Sequence, residues 1–381
     1  MRPARNGKIN SNPLRKSGFT QSLIGERICS SRSLRKVAPM SGKSLWWKWF
    51  YLMEINMDKA LQKYIRKFSS LRRGVTKYGS APHKPVLLLA VLRGMEEGWI
   101  AENRIELSPE LVGAFRSIWK NLVTTGHSPL IAQPFFYMRS EKFWHHVPNP
   151  EYESWVRISK NCQSIGVLNK AVAYAQFDPD LFMLAMSPAH RAVLKLTLLE
   201  DYFPHSQVDA ADGVSYWDLV SNQILAESSA EYQAEIRRLQ NTLDKDSFEE
   251  EVFVRSGVFK RQVPLVYNNT CCISGLRVET SINASLVDAC HIVPFSQSHD
   301  DTISNGLSLC PTLHRAFDRG LVAIDPDHFT VLVSKRLSEP GESVYSILQF
   351  AGQPVRLPPD ARYCPAPENL QSHLAYHADN F

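Results

Sequence analysis

The chain has 381 residues, is 44% hydrophobic and 10% aromatic, and carries a formal net charge of +5, which gives enough apolar surface for about two packed domains plus attachments. No apolar stretch reaches the ~18 residues that a membrane span requires, and the nearest, Leu45 to Met53, is interrupted by Lys48. Seven scattered cysteines with no Cys-x-x-Cys pair exclude a secreted disulfide framework, so a reducing cytoplasm and no structural zinc are expected.

The charge is unevenly placed. Residues 1–56 hold eleven Lys and Arg against Glu26 and Glu54, whereas the rest of the chain holds 32 basic and 36 acidic residues. Such a leader suits a nucleic-acid tail or a transit peptide. Because Met57-Asp58-Lys59-Ala60-Leu61 opens an amphipathic pattern, residues 1–56 are expected to be disordered or to precede the natural start. Affinity for a polyanion must then come from local patches.

From Met57 the apolar residues Leu61, Ile65, Phe68 and Leu71 recur at helical spacing beside Lys63, Arg66, Lys67, Arg72, Arg73 and Lys77. Ala81-Pro82-His83-Lys84-Pro85 starts a buried helix through Val86–Met95, since proline is tolerated in a first turn. Ser108 before Pro109 predicts an N-cap for a helix over 109–122. Residues 129–138 and 142–145 read as two paired strands joined by Arg139-Ser140-Glu141. The stretch from Asp209 to about Lys260 reads as a solvated helical connector that sets spacing. The proline-rich tail, with Pro354, Pro358, Pro359, Pro365 and Pro367, reads as extended and turn-rich.

The most specific pattern is near the C-terminus. His291 ends the run Leu286-Val287-Asp288-Ala289-Cys290-His291, Asn305 opens Asn305-Gly306-Leu307-Ser308-Leu309-Cys310, and His314 lies in Leu313-His314-Arg315-Ala316-Phe317-Asp318-Arg319-Gly320. A strand, a second strand and a helix could bring the three onto one water and one metal ion. An imidazole can take a proton from water near neutral pH, an effect worth ~10²–10⁴-fold in rate, and a divalent cation can stabilise a phosphorane and its leaving oxygen. His291 is the candidate base, and Asp288 with His314 the candidate metal set. Asp288 shares a strand face with position 290. Asn305 is expected to orient the imidazole or the metal shell.

Residues Cys271 to Asp325 resemble the HNH endonuclease family. The likeness is carried by Cys272-Ile273-Ser274-Gly275, Asp288-Ala289-Cys290-His291-Ile292, Asn305-Gly306-Leu307 and His314-Arg315-Ala316-Phe317-Asp318-Arg319-Gly320-Leu321. Many members place an Asp directly before the first His, where this chain has Cys290. The resemblance implies a ββα-metal fold, hydrolysis of DNA with a divalent ion (Mg²⁺ first, with Mn²⁺, Ni²⁺ or Zn²⁺ as alternatives), catalytic His291, Asn305 and His314, and phosphate contacts from Arg315 or Arg319.

Residues 57–205 are more loosely similar to the N-terminal domain of modification-dependent restriction endonucleases, through Pro82-His83-Lys84-Pro85, Pro134-Phe135-Phe136-Tyr137-Met138 before Phe143-Trp144, and Arg191 with Leu199-Glu200-Asp201-Tyr202-Phe203. Some of those domains read phosphorothioate DNA in an apolar pocket flanked by basic residues. This likeness implies DNA contacts by His83, Lys84, Pro134 and Arg139, although Gln133 stands where an aromatic is common. Arg116, Lys120 and His127 are further candidates for phosphate.

The expected fold class is α+β, with a basic leader (1–56), a mixed DNA-reader domain (57–205), a helical connector (206–262), a ββα-metal nuclease domain (263–335) and a proline-rich extension (336–381). The expected function is a metal-dependent endonuclease on double-stranded DNA, modified or not. Symmetric double-strand cutting would suggest a homodimer, and no membrane partner is expected. The alternative is a DNA-binding regulator that keeps the fold without turnover.

Overall fold

Helix α1 (Lys59–Ser69) opens the computed structural model, which describes residues 59–162, 164–204, 215–278, 285–341 and 345–381. The leader expectation and residues 206–214 of the expected connector lie outside the described residues. Helices α2 (His83–Glu96), α3 (Pro109–Leu122), α4 (Ala132–Tyr137), α5 (Glu153–Ile158), α6 (Ile165–Ala171), α7 (Pro179–Met186) and α8 (Pro188–Tyr202) follow, with strands β1 (Val75–Thr76), β2 (Gly79–Ser80), β3 (Trp144–Pro148) and β4 (Val172–Phe177) between them. Helix α2 is apolar on every side and is accordingly wrapped by its neighbours, with Val86, Leu87, Leu88 and Val91 fully buried. Each such side chain contributes ~1.5–3 kcal/mol relative to exposure. Ser108 caps α3 by accepting from the Leu111 N–H at 3.2 Å.

The two strands expected over 129–145 are not formed as a pair. Residues 132–137 are helical, and β3 pairs instead with β4, antiparallel with Trp144 opposite Phe177. The cause lies far along the chain. The Glu250 carboxylate accepts from the N–H groups of Ile131 (2.9 Å) and Ala132 (3.2 Å), satisfying donors that a helix start leaves open. Pro134 sits within that first turn, where it costs little.

The connector consists of α9 (Tyr216–Ala226), α10 (Ser229–Thr242) and the 22-residue α11 (Lys245–Val266). A capping box of Ser228 and Glu231 starts α10, and Asp244 caps α11 through the Ser247 N–H. Helix α11 is not a solvated spacer. It packs on α3 and α6 at one end and on the C-terminal strands at the other.

Those strands are β5 (Asp288–His291) and β6 (Gly306–Leu309), antiparallel with His291 opposite Gly306, followed by α13 (Pro311–Asp318) after the single-turn α12 (Phe295–Ser298). A second hairpin, β7 (Val322–Ile324) with β8 (Val331–Val333), comes next. The tail also differs from the extended expectation. Its helix α14 (Pro367–Tyr376) returns onto β7, with Leu370 and His373 buried. No helix among the described residues is long and apolar enough to cross a membrane.

Two histidines, half-buried His146 and buried His373, give a test of the packing. His146 stacks on Phe135 (centroids 5.7 Å, 8°) and His373 on Phe317 (3.8 Å, 11°). Burial pushes each imidazole down from 6.5 to about 4. The unfolded chain therefore takes up protons that the folded chain refuses. Their contribution is complete above pH 6.5 and is lost as pH falls towards 4, by roughly 3 kcal/mol per histidine. Urea midpoints measured at pH 7 and pH 5 should fall with pH, and His146→Gln should flatten the fall; a pH-independent midpoint would contradict it.

Candidate active site

The β5–β6 pair and α13 form a ββα unit, and α11 lies against its strands. The fit is close at Gly306, where a Cβ would lie 2.5 Å from Val263 and 3.0 Å from Phe259 of α11. Asn305 is completely buried, and its amide is taken up by backbone. Its Oδ1 accepts from the Val293 N–H (3.0 Å), and its Nδ2 donates to the carbonyls of Val293 (2.9 Å) and Asp300 (2.9 Å). Asn305 therefore staples the 293–300 loop to β6. The hydrogen bonds of its side chain go to that loop.

His291 lies on β5 with its side chain 21% exposed. Nε2 is 2.8 Å from Oδ1 of the wholly buried Asp301. A carboxylate only accepts, so Nε2 is the donor of this pair. Phe259 lies flat on the ring, centroids 3.9 Å apart at 11°. Packing and one hydrogen bond thus fix both ring plane and tautomer.

Across the unit, Cys290, His314 and Asp318 each place a ligand-type atom within 4.8 Å of the other two. His314 and Asp318 are one helical turn apart on α13, and the His314 Nε2 lies 3.5 Å from Asp318 Oδ2. The other nitrogen, Nδ1, lies 3.7 Å from Asp288 Oδ2. Asp288 is thus beside His314 but outside the three-residue group, which contains Asp318. An imidazole with carboxylates suits Mg²⁺, Mn²⁺, Ni²⁺ or Zn²⁺, and a thiolate would favour the softer end of that series. Burial, then Asp318, pushes the Cys290 thiol well up. A site with few protein ligands is the kind in which Mg²⁺ keeps its water.

His291, His314 and Asp318 line one open cleft of about 720 Å³, walled on its far side by His373, Tyr376 and His377 of the tail. Arg315 and Arg319 are exposed on α13. The residues expected to touch DNA from the N-terminal part are placed differently. Lys84 is turned inward, with Nζ 2.5 Å from Glu141 Oε1 and 2.8 Å from Ser140 Oγ. Arg139 donates to the Val156 carbonyl (2.7 Å) and the Ser159 carbonyl, and lies over Phe136. Arg116 pairs with Glu251 at 2.5 Å. Pro134 is buried, and His83 packs on Trp119 with its Nε2 against the Ser128 carbonyl. Lys84, Arg139 and Arg116 thus each have a partner within the protein. Outward groups nearby include Val75 (81% exposed), Tyr78 and Lys77 of the β1–β2 hairpin, with Tyr137 at the end of α4.

Asp318 and Asp301 were not picked out from the sequence. Asp318 had a signal, the His-x-x-x-Asp spacing that puts two side chains on one helix face. Asp301 had none, because only the fold brings it to His291.

Residues 271–325 match the HNH endonuclease family. No curated protein matches the chain. Among solved structures, a modification-dependent TagI restriction endonuclease is similar at 22% identity and a TM-score of 0.25, over 31% of this chain and 36% of that one. The chain therefore aligns with little more than a third of that protein's length.

Proposed function

We propose that the HNH endonuclease domain carried by residues 271–325 makes this protein a metal-dependent DNA endonuclease, guided to its substrate by the N-terminal part of the chain. The observation that carries the proposal is the pairing of His291 with buried Asp301 in the same cleft as His314 and Asp318. In this reading the Nδ1 of His291 accepts a proton from the attacking water while Asp301 holds Nε2–H. His314 and Asp318 would hold the ion, and Asp288 would orient the His314 ring from its second nitrogen. When bound, a divalent cation supplies charge stabilisation for the phosphorane and the leaving oxygen. Arg315 and Arg319 grip phosphates on either side of the scissile bond. Asn305 keeps the 293–300 loop from swinging into the cleft.

The N-terminal part is proposed to select the DNA, modified or not, through the exposed β1–β2 hairpin and the surface beside His83, Lys77 contacting phosphate and Tyr78 a sugar or base. With one site per chain, double-strand cutting would need two chains. The test is a panel of supercoiled plasmids, unmodified, methylated or phosphorothioate-bearing, incubated with Mg²⁺ or Mn²⁺. Faster cutting of one modified plasmid is expected. Equal cutting of all would remove the guided reading, and tight binding without any cutting would favour a regulator. Linear product without a nicked intermediate would indicate paired chains.

A further inference from the structure

The helices between the two halves of the chain converge on one point. On α11, Glu251, Arg255 and Phe259 follow at intervals of four and share a face. Glu251 pairs with Arg116 of α3 at 2.5 Å and with Arg255 Nε at 3.2 Å. The Arg255 side chain is 2% exposed, donates to Gln223 of α9 at 3.1 Å, and sets its guanidinium carbon 5.3 Å from the centre of the Tyr232 ring. Tyr232 of α10 is fully buried and donates its phenol to Asp301 Oδ2 at 3.3 Å, while Asp301 Oδ1 faces His291 Nε2. At the start of α10, Ser229 also donates to the neighbouring Asp300 at 2.6 Å. Phe259 closes the set from above the His291 ring.

This much buried polarity is not needed for spacing. A carboxylate buried beside an imidazole is costly unless its second oxygen is also satisfied, and the Tyr232 hydroxyl does that. Burial, then Asp301, drives the phenol's pKa far up, so it stays a donor. With Oδ2 held, Oδ1 has one direction left, towards Nε2.

We infer that Tyr232 and Phe259, with Arg255 behind them, are positioning residues for His291: Tyr232 fixes the Asp301 carboxylate, Phe259 fixes the ring plane, and together they keep Nδ1 facing the cleft. The helical connector is in this account part of the hydrolytic site. The inference rests on the nuclease reading for its kinetic consequence, but not for its structural one.

The test uses the full chain with ¹⁵N-labelled histidine, the His291 signals being assigned by their loss in His291→Gln. The unaltered protein should show Nε2 protonated and Nδ1 bare. Tyr232→Phe removes one oxygen and keeps the ring's packing, and should raise the share of the opposite tautomer while lowering kcat about 10- to 100-fold, as loss of an outer hydrogen-bond partner does, with DNA binding unchanged. Tyr202→Phe is the control. That hydroxyl donates to the Phe68 carbonyl, away from the site, and its loss should move neither readout. If Tyr232→Phe does not fold, Phe259→Leu takes its place and should mobilise the His291 ring. An unchanged tautomer and ring, or a changed one with unchanged kcat in a protein that cuts, overturns the proposal. If no form of the protein cuts DNA, the tautomer alone decides it and the nuclease reading falls separately.

Discussion

Alanine at position 291 is expected to lower the rate of strand cutting about 10²–10⁴-fold and to leave DNA binding largely unchanged. The size follows from what is removed. On the proposed reading His291, its Nε2 held 2.8 Å from Asp301, is the base, and alanine leaves water to attack unaided. Asp301→Asn should lose most of the same activity, since an amide can present its nitrogen to Nε2 and reverse the tautomer. The loss should fall on kcat with KM nearly unchanged, because neither residue is placed to hold the substrate's phosphates. Gel-resolved cutting at saturating DNA, with anisotropy for binding, separates the two. Loss of binding in step with loss of cutting would count against a base role.

Removing Asp318 or His314 is expected to abolish cutting and to weaken Mn²⁺ binding, measured by calorimetry, by more than the 10- to 100-fold typical of losing an outer partner. Asp288→Ala should fall within that smaller range. The ordering discriminates between two arrangements. With Asp288 3.7 Å from Nδ1 and Asp318 3.5 Å from Nε2, only one carboxylate can share the ion with the ring while the other accepts its N–H. On the proposed reading the ion lies on the Nε2 side, where Asp318 is. An Asp288→Ala loss exceeding that of Asp318→Ala would reverse the assignment. Cys290→Ser should matter little for Mg²⁺ or Mn²⁺ if the buried thiol stays protonated.

The ββα unit was legible because its parts are close in sequence. His291, Asn305 and His314 fall within two dozen residues, and a strand, a strand and a helix start can be read from that stretch alone. What could not be read came from distant residues. The carboxylate of Glu250, 118 residues from Ala132, starts a helix where proline and aromatics suggested strands. The resemblance pointed Lys84 and Arg139 at DNA, and no local pattern announced their partners Glu141 and the Val156 carbonyl. The connector's alternating charges likewise read as a solvated face, while Glu251 and Arg255 are buried against each other. Tyr232 and Asp301 are 69 residues apart, and no local pattern joins them.

The most direct test is rescue of a His291→Gly protein by free imidazole in the presence of Mn²⁺. Cutting that returns in proportion to imidazole, is abolished by EDTA, and is absent from His314→Gly under the same conditions is the predicted result. A His291→Gly protein that cuts like the unaltered chain without imidazole would contradict the account.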